Sequence, residues 1–86
     1  MSFLQALSML LLFYNNNVGG NKMNLERLKE IRLEHGYTQQ QFATYIGLST
    51  STYTDKEAGK TKFKVEELEE ILKFLNLDPL ELLDLD

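Results

Sequence analysis

The sequence predicts an all-α fold, a compact domain of five short helices. Three observations carry that expectation. Apolar residues recur at helical spacing through the chain after Met23. Polar cap residues and glycines punctuate those segments where helices should begin and end. Nothing reads as a strand alternating apolar with polar residues, and no internal repeat is present.

The first helix is expected from about Leu25 to His35, capped by Asn24, with Leu25, Leu28 and Ile31 or Arg32 on one face and Gly36 as its stop. The second is announced by Thr38, with Gln41 three residues on. In such a capping box the hydroxyl accepts an orphan N–H of the first turn and the amide returns to the cap's own N–H. Its apolar face is Phe42, Ala43 and Ile46, and Gly47 breaks it by taking a positive φ at no steric cost. Ser49 caps a third helix that reaches Lys56 or Ala58 and is closed by Gly59. The fourth is the clearest, because Val65, Leu68, Ile71, Leu72 and Leu75 line one side. Asp78-Pro79, a cap followed by proline at the first helical position, starts a short fifth helix through Leu80, Leu82 and Leu83.

Ahead of Met23 the character changes. "FLQALSMLLLFY" is a mostly apolar run of twelve residues. It lacks the basic flank of a signal peptide and falls short of the ~20 residues that span a bilayer. "NNNVGGNK" then reads as a turn-rich linker. The expected division is therefore an extension at residues 1–22 and a domain at residues 23–86. Gly19-Gly20 followed by Asn21-Lys22-Met23 is compatible with a purine-rich coding run, a spacer and a start codon, so one reading makes Met23 the natural start and residues 1–22 an upstream translation. The other makes the run a real extra helix for membrane-surface contact or dimerisation.

Eighty-six residues allow one small domain, with little margin for a second core or a deep active site. The absence of cysteine excludes disulfides and thiolate zinc sites and fits a reducing compartment. His35, the single histidine, supplies neither a histidine metal site nor a cysteine dyad. The formal net charge of −4 is unevenly placed. Met23 to Lys64 carries seven Lys/Arg and five Asp/Glu, a net of +2, whereas Val65 to Asp86 carries one Lys and eight acids, a net of −7. A polyanion responds to the local field of the docking face rather than to the total.

The stretch "GLSTSTYTDKEAGKT", Gly47 to Thr61, is the informative one. Its dense hydroxyls compete with the backbone ladder and fill a helix interior poorly, yet firm helices flank it. Ala43 and Gly47 four residues apart, apolar Phe42, Ile46, Leu48 and Tyr53 around them, and the "KEAGKT" ending resemble the Cro/C1-type (XRE-like, phage repressor) helix-turn-helix family over about Asn24 to Leu83. The resemblance implies a lambda-repressor-like fold in which helix three crosses close over the small Ala43, Gly47 makes the turn, and Leu48 and Tyr53 root the recognition helix. It gives the composition a reason, since a helix docked in a major groove needs one buried stripe and an outer face of short polar groups.

By that resemblance Thr50, Ser51, Thr54 and Asp55 read bases, while Gln39, Lys60 and Lys62 hold phosphates and Lys56 and Lys64 extend the lysine cluster. Arg32 and Glu57 match a structural ion pair between helices one and three. A solvated loop or a solvated lysine face is the bland alternative for these same residues. There are departures from the family pattern. Lys56 stands where an apolar residue is common, so its stem is expected on the core and its ammonium in solvent or on phosphate. Asp55 is repelled by phosphates but can accept from a cytosine amino group. Helix three contains no Arg, the strongest guanine reader.

The expected function is a sequence-specific regulator of transcription, a repressor, that binds double-stranded DNA in the cytoplasm as a homodimer, without cofactor or metal and without membrane attachment. The leucines of "LDPLELLDLD" offer a dimer contact or simply pack helix five onto helix four. The alternative is a protein-interaction module on the same fold, such as an antitoxin, anti-repressor or partner-binding subunit, favoured by the overall acidity and by Asp55. An enzyme is not expected, because Glu66, Glu69 and Glu70 share the solvated face of an amphipathic helix.

Overall fold

A computed structural model describes residues 22–84. The run "FLQALSMLLLFY" and nearly all of the expected extension lie outside the described residues. Four α-helices follow in order, α1 (Leu25–Glu34), α2 (Gln39–Tyr45), α3 (Thr50–Glu57) and α4 (Val65–Leu75). Each begins where a side chain satisfies an orphan backbone donor. Asn24 Oδ1 accepts the Arg27 N–H at 3.0 Å. Thr38 Oγ1 accepts the Gln41 N–H at 3.0 Å while Gln41 Oε1 accepts that of Thr38 at 2.9 Å. Ser49 Oγ accepts the Thr52 N–H at 3.2 Å. α4 ends on Asn76, held in the left-handed region with φ of 53°, and the Leu77 N–H returns to the Leu72 carbonyl at 2.9 Å to satisfy it.

One core joins the elements. Leu28 and Ile31 come from α1, Phe42 and Ala43 from α2, Tyr53 from α3, and Leu68, Ile71, Leu72 and Leu75 from α4. Ile46, Phe63, Leu82 and Leu83 enter from the connections and the chain's end. Tyr53 stands edge-on to Phe42, with ring centroids 5.3 Å apart, and makes a second edge-type contact with Phe63 at 6.0 Å.

The expected fifth helix is instead a single 3-10 turn, Pro79–Glu81. Asp78 does cap it, its Oδ1 accepting the Leu80 N–H at 2.9 Å. The chain then leaves the helical path because its backbone is used elsewhere. The Leu82 carbonyl accepts the Asn24 N–H at 2.6 Å. Leu83 and Asp84 form a two-residue strand, β2, antiparallel to β1 (Lys22–Met23), with Leu83 opposite Met23 and Asp84 opposite Lys22. No strand was expected, and one this short carries no alternating pattern. The boundary expected between residues 22 and 23 falls inside β1.

The turn puts its leucines in different surroundings, with Leu82 1% exposed and Leu80 51% exposed. Leu82→Ala should therefore lower the unfolding free energy by about 2–5 kcal/mol, whereas Leu80→Ala should stay within about 0.5 kcal/mol of the parent. Urea midpoints of the two variants check this; equal losses would mean that the end of the chain packs differently.

Candidate nucleic-acid interface

α2 and α3 meet at a sharp turn. The Gly47 N–H donates to the Thr44 carbonyl at 3.2 Å and the Leu48 N–H to the Ala43 carbonyl at 2.8 Å. Gly47 has φ of +80°, a conformation that strains any residue with a Cβ. Ala43 is fully buried beneath the crossing. Of α3, only Tyr53, Lys56 and Glu57 are buried. Thr50, Ser51 and Thr52 are exposed, and Thr54 and Asp55 are half-buried.

The inner side of α3 is fastened by polar contacts. Arg32 Nε donates to Glu57 Oε2 at 2.9 Å and Arg32 Nη2 to Oε1 at 3.3 Å. Tyr53 Oη donates to Oε2 at 2.5 Å, and Gln39 Nε2 to Oε1 at 3.0 Å. The remaining terminal nitrogen of Arg32, Nη1, donates to the Tyr37 carbonyl at 2.6 Å. Burial pushes the Glu57 carboxyl up, but hydrogen bonds from Arg32, Tyr53 and Gln39 and the charge of Arg32 outweigh it, so the group lies below its ordinary range. Burial first, then the hydrogen bond and charge of Glu57, push the Tyr53 phenol far above its ordinary range, against the opposing influence of Arg32. The phenol therefore stays a donor at neutral pH.

The network reaches the surface through Gln39, whose Oε1 accepts the Thr54 hydroxyl at 3.1 Å. Gln39 was expected on phosphate; here both ends of its amide are engaged internally, and its nitrogen keeps a second N–H for another acceptor. The Thr54 hydroxyl donates its hydrogen bond to Gln39 and retains acceptor capacity toward the outside.

The lysines after α3 divide. Lys60, Lys62 and Lys64 are exposed on the connection between α3 and α4. Lys56 is not among them: it is 6% exposed, and its Nζ lies 2.5 Å from Glu67 Oε1 and 3.1 Å from the Lys62 carbonyl. The expectation of an ammonium in solvent is corrected by that geometry, because a lysine at an inward position of α3 finds a carboxylate on α4 within reach. Sequence reasoning also missed Glu67 as a partner and Tyr53 as a donor. The available signal for Glu67 was its place three residues after Lys64, where a carboxylate returns to the helix start; it accepts the Lys64 N–H at 2.7 Å.

Among the described residues, no group of three or more His, Cys, Asp or Glu is placed to hold a metal ion, and no helix is long and apolar enough to cross a membrane. A short helix anchored from within, presenting hydroxyls outward beside a lysine-bearing loop, is the form of a helix-turn-helix unit. The chain belongs to the Cro/C1-type helix-turn-helix family, whose model, described as Helix-turn-helix, matches residues 28–82. That membership implies a DNA-binding regulator. No curated protein and no solved structure matches the chain significantly.

Arg32 and Glu57 have side chains 6% and 4% exposed. Removing one partner leaves the other charged and buried, so Glu57→Ala should destabilise by about 3–5 kcal/mol, read from chemical denaturation. The sign of the pH dependence follows from the depressed Glu57 ionisation. Its contribution is fully present above the unfolded value of about 4.3 and is lost as pH falls through the lower folded value. The stability gap between the parent and Glu57→Gln should therefore shrink as pH drops below about 4. A gap that is constant down to about pH 2 would mean that the carboxylate's charge contributes nothing.

Proposed function

We propose that the chain is a sequence-specific transcriptional regulator, a repressor, that binds double-stranded DNA in the cytoplasm as a homodimer and reads the major groove with the helix 49–58. The observation that carries this reading is the division of α3: Tyr53, Lys56 and Glu57 are buried, and every outward position holds a short polar side chain. Such a surface approaches base edges closely without exposing apolar area in the free protein. Thr50, Ser51, Thr54 and Asp55 are the base readers in this proposal. Gln39, Lys60 and Lys62 hold phosphates, and dimerisation supplies a second half-site because one helix contacts few bases.

A specific observation favours the alternative of a protein-interaction module. Tyr45 and Phe74 are 50% and 40% exposed with rings 5.0 Å apart, and Tyr37 lies beside both. Aromatic rings in that setting suit a protein partner. Salt separates the readings, because phosphate contacts release counterions and protein contacts of this apolar kind do not.

The test is selection of a binding site from random-sequence duplexes, followed by titrations at several salt concentrations. Lys62→Ala should weaken binding about equally on all sequences and reduce the salt slope by about 0.9. Asp55→Ala should strengthen binding to unrelated DNA and erase any cytosine preference at its contact, narrowing discrimination by about 1–3 kcal/mol. A parent protein that binds no duplex at low salt would transfer the proposal to the protein-partner reading. Retention of the full sequence preference by Asp55→Ala would mean that α3 docks in another orientation.

A further inference from the structure

We infer that Lys56 is a positioning residue, which with Glu67 clamps the lysine-bearing loop between α3 and α4 in the shape that meets DNA, and that it makes no phosphate contact itself. This rests on the regulator reading. Lys56 sits near the end of α3, and Glu67 occupies the first turn of α4. Between them run Ala58 to Lys64, where Lys60, Lys62 and Lys64 are exposed and Phe63 is buried. From α3 the ammonium reaches the far end of that loop, donating to the Lys62 carbonyl at 3.1 Å and to Glu67 Oε1 at 2.5 Å.

The same Glu67 oxygen accepts the backbone N–H of Lys64 at 2.7 Å. Lys62 and Lys64 are therefore each tied by a main-chain group to one partly buried ion pair, while their side chains remain outside. The start of the loop is fixed separately. Gly59 has φ of +83°, and the Lys60 N–H returns to the Asp55 carbonyl at 2.9 Å. With the beginning wound back on α3 and the end pinned by Lys56, the loop has few remaining ways to move. The ammonium also lies 5.9 Å from the centre of the Phe63 ring, so the core side of the loop packs against it.

Charge accounting separates this role from direct contact. A lysine already neutralised by a partly buried carboxylate releases no counterion from DNA, so Lys56 adds nothing to the salt slope. A lysine on phosphate adds about 0.9 to it. Removing Lys56 alone leaves Glu67 with its charge uncompensated next to the loop, and loop order should suffer. Replacing both, as Lys56→Met with Glu67→Gln, keeps the apolar stem and keeps an amide oxygen for the Lys64 N–H, without any charge to compensate.

The experiment is a double-mutant cycle on the full chain with Lys56→Met, Glu67→Gln and both together. Mixed-sequence double-stranded DNA is titrated at several salt concentrations, at a temperature where circular dichroism shows each protein folded. Amide exchange of residues 59–64 is measured without DNA. Positioning predicts that Lys56→Met loses affinity and exchanges faster in the loop, that the second substitution restores much of both, and that the double variant keeps the parent's salt slope. A slope lower by about 0.9 in the double variant, with additive losses, would place Lys56 on a phosphate and overturn the inference. Unchanged loop exchange in Lys56→Met would also overturn it, and this readout remains should that variant lose its fold on warming. A parent that binds no DNA refutes the regulator reading, and the positioning role falls with it; faster exchange would then leave the clamp as structural only.

Discussion

Three helices are tied at one carboxylate. Glu57 belongs to α3, yet its two oxygens accept four hydrogen bonds, two from Arg32 of α1, one from Gln39 of α2 and one from Tyr53 a turn back on α3 itself. Burying an ion strips it of water, and the loss is offset only where hydrogen bonds saturate the charge. Here they do, and Arg32 turns its last nitrogen onto the Tyr37 carbonyl. The arrangement tolerates only narrow changes in angle, because each donor comes from a different direction. A rotation of α3 about its axis that an apolar contact would accommodate breaks several of these bonds at once.

That constraint matters because α3 has almost no other means of being held. α4 buries Leu68, Ile71, Leu72 and Leu75 and needs no polar contact to fix its inner face. α3 buries one apolar side chain, Tyr53. Its outer positions carry hydroxyls, and leucines there would stand in solvent. Orientation therefore comes from ion pairs on the inner side, Glu57 with Arg32 toward α1 and Lys56 with Glu67 toward α4. Buried pairs of this kind add little net stability over an apolar replacement of similar shape. What they fix in this fold is the angle of the helix. Gln39 carries that angle outward, since the amide bound to Glu57 is also bound by Thr54 on the half-exposed side.

How much of this was legible in the sequence depends on how far apart the interacting residues lie. Asn24, Thr38, Ser49 and Asp78 act within three residues of themselves, so the helix starts were readable from composition alone. The apolar stripe of α4 was readable for the same reason. The link between Arg32 and Glu57 came through likeness to a family, since nothing local pairs residues 25 apart. Lys56 and Glu67 are 11 apart, on two helices whose crossing is a tertiary outcome, so nothing local paired them, and the Lys56 ammonium was expected in solvent or on phosphate. The fifth helix failed by the same logic. Asp78-Pro79 specifies a turn's beginning, but its end is set by Asn24 and Met23 at the opposite end of the domain. Tyr53 was placed in the core by likeness to the family, and its hydroxyl was invisible until an acceptor stood beside it.

The internal pairs also reshape the field outside. Seven bases lie between Met23 and Lys64, but Arg32 and Lys56 are neutralised from within, and Arg27 lies 3.4 Å from Glu34. Near α3 the exposed positive charge is therefore concentrated on Lys60, Lys62 and Lys64, beside a helix whose own outer face includes Asp55. On the regulator reading, a field this restricted gives weak attachment to DNA at large, because non-specific affinity grows with the number of phosphates neutralised. Discrimination then rests on short contacts from a rigidly held helix, and a loose helix with few cations would bind neither its site nor anything else. The buried carboxylate, the clamped loop and the sparse lysines thus support one another: rigidity makes up for the charge that the surface lacks.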